Sequence, residues 1–125
     1  MSHAAPITAE LHKPGIDGKT VAATAIGTTE NGTRRFYPTA AVFELTAVAV
    51  LIGVCTLSVG TNGASYNDLV AATAMTGLTA ANGILRVSIA LAGSVAPNTA
   101  VYVNITVGAT ATTYTLRAIL EGYYL

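Results

Sequence analysis

The sequence predicts an all-β chain, an antiparallel β-sandwich with an extended N-terminal arm. Three observations point there. The 125 residues are 52% hydrophobic but only 10% charged, against about 25% charged in an ordinary domain. The apolar content comes mainly from Ala, Val, Leu and Ile, with Thr as the chief polar partner, a mixture that suits pleated surfaces. From Arg35 onward, period-two alternation recurs between Gly- and Asn-rich turns spaced roughly ten residues apart. One domain of this length buries roughly 65% of its unfolded surface, enough for a single modest core.

Residues 1–33 read differently. They contain Pro6, Pro14, both histidines and several charges without a sustained apolar period. The expectation is an extended arm, with "TVAATAIGTT" (20–29) as a short strand within it. The core then spans 34–125. "RFYPTAAVFELTAV" opens it, and Pro38 favours a strand start or an edge.

The most apolar run, "FELTAVAVLIGVCTLSVG" (43–60), asks whether the chain crosses a membrane. Only about fifteen uncharged residues separate Glu44 from Gly60, where a spanning helix needs roughly twenty. No basic cluster flanks the run. As strand, Phe43, Leu45, Ala47, Ala49 and Leu51 share one face, while Val48, Val50 and Ile52 make a second apolar face. In so small a domain a neighbouring subunit would cover that second face, so Val48, Val50 and Ile52 are the predicted subunit interface. Gly53 marks a bend before "VCTLSV" and the turn "GTNG".

"SYNDLVAATAMTGLT" (65–79) fits either a short helix capped by Asp68 or a strand. "ILRVSIAL" alternates with Leu85, Val87, Ile89 and Leu91 inward. "AVYVNITVG" is the clearest half-buried strand, through Val101, Val103, Ile105 and Val107. "TYTLRAILEGYYL" closes the chain with Tyr114, Leu116, Ala118 and Leu120 on one face. Six to eight short strands so spaced argue for a sandwich of jelly-roll type.

Charge and motifs exclude more than they assign. Formal charge is zero and no lysine follows Lys19, so the basic stripe that nucleic acid requires is missing. Cys55 alone cannot form an intramolecular disulfide or a multi-cysteine metal site, and reads as a small buried hydrophobe. "MSHAAPITAELHKPG" lacks the pattern of a secretory signal, so synthesis in a cytoplasm is the expectation. "GIDGKT" (15–20) ends like a phosphate-binding loop, but Lys13 stands where its first glycine belongs. His3 and His12 sit on a segment with no rigid frame for a metal. Glu44, Asp68 and Glu121 are the core carboxylates, on polar strand faces or in a turn, and make no acid–base pair. No catalytic, cofactor or metal residue is predicted, and the chain reads as no enzyme. Lys13, Lys19, Arg34 and Arg35 have no evident core role and are the predicted partner-binding charges of the arm. Tyr102, Tyr123 and Tyr124 would be the aromatic platform if the chain were a carbohydrate-binding module.

The stretches "GTNGASYNDLVAATAMTGLTAANGILRVSIALAG" and "VAPNTAVYVNITVGATATTYTLRAILEGYYL" resemble small β-sandwich virion proteins of tailed bacteriophages, of the head-decoration (cement) or fibre-associated kind. The resemblance covers about residues 36–125 and rests on overall texture and the Gly-Tyr-Tyr-Leu ending. It implies a non-enzymatic homotrimer, made in the host cytoplasm and carried in the virion. Such a protein clamps the major capsid protein or another virion protein, often through a terminal arm, with no nucleic acid or membrane partner. A tail, baseplate or fibre component is the alternative within the same class.

Overall fold

The computed structural model describes residues 6–89 and 94–125. Eight strands alternate along the chain: β1 (Ile7–Asp17), β2 (Ala23–Thr28), β3 (Phe36–Ala49), β4 (Thr56–Gly60), β5 (Val70–Ala74), β6 (Ile84–Ser88), β7 (Ala100–Val107) and β8 (Thr113–Tyr124). They form two four-stranded antiparallel sheets, ordered β1-β8-β3-β6 and β2-β7-β4-β5. Every connection except β4–β5 passes from one sheet to the other. The predicted β-sandwich is the observed fold. No helix among the described residues is long and apolar enough to cross a membrane.

The core lies where the inward faces meet. Phe43, Leu45, Leu116 and Leu120 from the first sheet face Leu57, Val59, Val101, Val103 and Ile105 from the second, all at most 1% exposed. Burying each such side chain stabilises the fold by about 1.5–3 kcal/mol. The stretch left open between helix and strand resolves into a loop, the short β5, and a turn that drops Met75 and Leu78 into the end of the core. The turn is held there because the Tyr114 hydroxyl donates to the Leu78 carbonyl at 2.8 Å and the Met75 N–H donates to Cys55 O at 2.8 Å. Asp68 caps no helix.

The β3–β8 ladder differs from simple alternation at two points. Its register shifts between Pro38 and Ala40 and again between Leu45 and Ala47, making Thr39 and Thr46 extra residues in β3. Their hydroxyls donate to the carbonyls of Glu121 (3.3 Å) and Thr115 (3.1 Å) on β8, satisfying the ladder where the bulge interrupts it. The second bulge inverts the facing of everything after it. Phe43 and Leu45 point inward, but Ala47 and Ala49 then point outward. Val48 points inward opposite Tyr114.

Two sequence expectations therefore change. β3 ends at Ala49, so Val48, Val50 and Ile52 share no strand face: Val48 packs against the core, while Val50 and Ile52 sit on the β3–β4 loop. The segment expected as an arm instead supplies an edge strand to each sheet over 7–28. β1 pairs with β8 from Ile7↔Tyr124 to Asp17↔Thr115, and β2 pairs with β7. Inward residues on β1 are sparse (Ala9, Leu11, Ile16), and a bulge at Pro14-Gly15 resets their period, which hid the strand. The last two residues of the predicted strand ending at Leu91, and His3, lie outside the described residues.

Two predictions follow from this packing. A Cβ on Gly122 would lie 2.3 Å from Tyr37 O and 2.9 Å from Pro38 Cα. Gly122→Ala should therefore lower urea-denaturation stability by about 2–3 kcal/mol, whereas an unchanged midpoint would refute the close approach of β8 to β3. Burial pushes the Cys55 thiol up to about 11 from 9.0, and burial pushes the Tyr114 phenol up to about 12 from 10.0. The neutral forms are favoured in the fold, so this stabilisation is complete below pH 9 and is lost as pH rises through 11 and then 12. Urea midpoints measured against pH should fall in that window, and Cys55→Ala should remove the earlier part of the fall. The native thiol should also resist modification at neutral pH.

Candidate assembly surface

The charges of the strands are divided unequally between the sheets. β1, β3, β6 and β8 carry Glu10, His12, Lys13, Asp17, Glu44, Arg86, Arg117 and Glu121, whereas β2, β4, β5 and β7 carry no charged residue. On the first sheet's outer face the register sets Glu44 beside Arg117, and the two form an ion pair. Arg86 reaches across the small Ala40 to Glu121 at 2.6 Å. The Arg86–Glu121 pair is exposed and contributes about 0–1 kcal/mol, whereas Glu44 is largely covered, 18% exposed, in its pair with Arg117. Glu10 lies directly opposite Glu121, at a shallow depression of about 450 Å³ that Thr8 and Thr39 also line. Among the described residues, no group of three or more His, Cys, Asp or Glu side chains could hold a metal ion.

The second sheet's outer face is built of small uncharged side chains. Ala23 and Ala25 of β2, Thr106 of β7, and Ala71, Ala72 and Ala74 of β5 are exposed. Part of this face is covered by the chain's own β4–β5 loop. Tyr66 stacks on Tyr102 with ring centroids 4.4 Å apart, and Ser65 O accepts hydrogen bonds from Ser58 Oγ (3.3 Å) and Asn104 Nδ2 (3.2 Å). The loop is stapled by Asp68, whose carboxylate accepts from the Thr61 N–H and hydroxyl, both at 2.6 Å. Desolvating what remains would cost little, because no ionised group has to give up its water.

Exposed large aliphatics collect at one end of the sandwich. Seven occur among the described residues. Four of them, Val21, Val50, Ile52 and Val107, lie where β1, β3 and β7 end, whereas Ile84 pairs with Glu44 on the first sheet's outer face, five residues short of the end of β3. The loops there are tied together: Ile52 N–H to Thr110 O (2.8 Å), Thr112 N–H to Ala49 O (2.9 Å), Ala109 N–H to Gly18 O (2.8 Å) and Lys19 Nζ to Thr112 O (2.8 Å). Val50 is held at φ 49° and is 72% exposed, with Ile52 at 81%. A β-branched residue in the left-handed region costs of order 1–2 kcal/mol. The surrounding hydrogen bonds hold the loop against that cost, with both side chains outward.

The other residues singled out by sequence are scattered. Lys13 faces Ala118 on β1, and Lys19 is spent bracing the apolar end. Arg34 pairs with Glu30 at 3.2 Å, and Arg35 bonds Ser94 beside the C-terminus, at the opposite end. "GIDGKT" is the turn between the sheets. Asp17 accepts from the Lys19 N–H (3.0 Å) and the Thr20 hydroxyl (2.8 Å), and these hydrogen bonds hold its carboxyl below the usual range. The three tyrosines form no platform. Tyr102 is on the second sheet, Tyr123 stacks on Tyr37 over the first, and Tyr124 is buried against Phe36. Val107, expected inward with Val101, Val103 and Ile105, is 56% exposed because a register shift leaves Thr106 as an extra residue in β7 and turns Val107 outward. Val21 and Ile84 were not singled out by sequence. Their only signal is an apolar residue placed beside a turn.

The sequence matches no protein-family profile and no curated protein. In structure the chain is similar to a chain of the cyanophage Pam1 capsid asymmetric unit, with a TM-score of 0.63, 15% identity, and coverage of 98% of this chain and 89% of that one. It is also similar to a chain of the capsid of Ralstonia phage GP4, with a TM-score of 0.58, 18% identity, and coverage of 97% and 84%. At these identities the likeness establishes a shared sandwich fold, and the structural neighbours are phage capsid chains.

Proposed function

We propose that this chain is a structural protein of a phage virion that decorates and cements the capsid as an oligomer, with three copies as the expected assembly. The observation that carries the proposal is the likeness to capsid chains over nearly the whole length of the protein. The strand order β1-β8-β3-β6 facing β2-β7-β4-β5 supports a jelly-roll winding, an architecture frequent in viral capsid domains.

In this reading the apolar end and the uncharged second sheet meet other virion subunits, and the ion-paired first sheet faces water. Each contact is small. Several copies acting together raise the effective concentration of every further contact, so a modest patch suffices for firm attachment. Lys13, Arg34 and Arg35 lie outside the apolar end, where charges steer orientation more than they add affinity. The scatter of the tyrosines argues against the carbohydrate-binding alternative.

Adding the purified protein to capsids depleted of it, followed by sedimentation, tests the proposal. The native chain should co-sediment and raise the temperature at which the shells rupture. Val50→Asp and Ile52→Asp should bind at least about tenfold more weakly, roughly 1.4 kcal/mol. Val50→Asp should leave the isolated fold as stable or more so, because Asp tolerates the left-handed conformation better than Val. Native-like binding by both variants would refute the apolar end as the contact. No binding by the native chain would refute the decoration role.

A further inference from the structure

The sequence contains three Asn-Gly pairs, at Asn31-Gly32, Asn62-Gly63 and Asn82-Gly83. The structure treats them very differently. We infer that Asn31-Gly32 is a site of spontaneous covalent modification, at which the native protein deamidates while the other two pairs are protected by the fold. The inference does not depend on the capsid reading.

The chemistry requires the backbone nitrogen of the glycine to reach the Cγ of the asparagine before it. A bond forms between Gly32 N and Asn31 Cγ, the Cγ–Nδ2 bond breaks, and ammonia leaves with the glycine N–H proton. The product is a five-membered succinimide. Water then opens either of its two carbonyls, giving aspartate or isoaspartate. No oxidant, reductant or catalyst is needed. The reaction does need freedom in the asparagine side chain and in the following peptide unit.

Asn62 lacks that freedom. Its Oδ1 accepts from the Asn67 N–H (2.8 Å) and the Asp68 N–H (3.2 Å), its Nδ2 donates to Asn67 Oδ1 (2.8 Å), and its carbonyl accepts from the Tyr66 N–H (2.8 Å). At the third pair the nucleophile itself is held: the Gly83 N–H donates to Ala80 O at 3.1 Å, and its carbonyl accepts from Leu45 N–H at 2.9 Å. Asn82 is fixed at φ 71°, with its own N–H on Leu45 O at 2.7 Å.

Asn31 and Gly32 are both exposed, and among the described residues neither makes a hydrogen bond. They form the bend between two anchored points. On one side Thr29 is buried and bonded to Ala96 and Thr99, and the Glu30 N–H donates to the Tyr124 hydroxyl at 3.0 Å. On the other, Arg35 exchanges backbone hydrogen bonds with Leu125. The bend is thus free to sample the reactive geometry without disturbing the sandwich. The product adds a carboxylate one residue from Glu30, beside the Glu30–Arg34 ion pair.

Gly32 supplies a control that should fold normally. It has no left-handed φ, and a Cβ there would meet nothing within 4 Å. Folded protein should be incubated at mildly alkaline pH and followed by peptide mapping with mass spectrometry. Conversion should occur at Asn31 and yield both aspartate and isoaspartate, while Asn62 and Asn82 persist until urea is added. Gly32→Ala should slow conversion about tenfold or more, since its methyl group hinders the attacking nitrogen. Equal conversion at the three sites in the native state would overturn the inference, as would an Asn31 as durable as Asn62 or a rate indifferent to Gly32→Ala.

Discussion

The β3–β8 ladder is the constraint on which the rest of the structure depends. It pairs twelve positions of β3 with β8 at the centre of the first sheet and carries Phe43, Leu45, Leu116 and Leu120 into the core. β1 and β6 add to its two sides, and the second sheet packs on its inward face. Its two bulges decide which residues are inside. Without the extra residue at Thr46, Val48 would face water and Ala47 would face the core. The threonine hydroxyls bonded to β8 carbonyls make that offset tolerable, because the interrupted ladder still finds donors.

The same offset shapes the surface. Because β3 ends at Ala49, the strongly apolar run does not continue as a strand but turns outward through a left-handed Val50 to Ile52. Apolar side chains that alternation would have assigned to a strand face instead share one end of the sandwich with those of two other chain segments. The two sheets meanwhile divide the polar work. One holds every strand charge in register-set ion pairs or in water, and the other presents small neutral groups. Of the two faces the second is the less costly to cover, because charge is costly to desolvate and Ala and Thr are not.

Much of the fold was legible in the sequence, because half-buried strands reveal themselves by alternation. β6, β7 and β8 read directly, with Val101, Val103 and Ile105 inward as expected. The exposed apolar residues of the β3–β4 loop were legible only in part. Val50 and Ile52 were identified as apolar residues in need of cover, but as part of a strand face, whereas β3 ends at Ala49 and the chain turns through a left-handed Val50, a change with no composition signal. β2 falls within the short strand expected at 20–29, whereas β1 was hidden for a related reason. Edge strands carry few inward side chains, and the Pro14-Gly15 bulge erases the period of those present. The placement of Val21 and Val107 at the same end as Val50 and Ile52 depends on which strand ends meet, a property of topology that no local pattern encodes.

The central claim, that the apolar end meets other subunits while the ion-paired sheet faces water, is tested most directly by hydroxyl-radical footprinting of the free chain against the chain in purified virions. The account predicts that Val21, Val50, Ile52 and Val107 lose reactivity in the particle while Tyr37 and Tyr123 on the first sheet keep theirs. Protection of Tyr37 and Tyr123 with Val50 and Ile52 unchanged would contradict it.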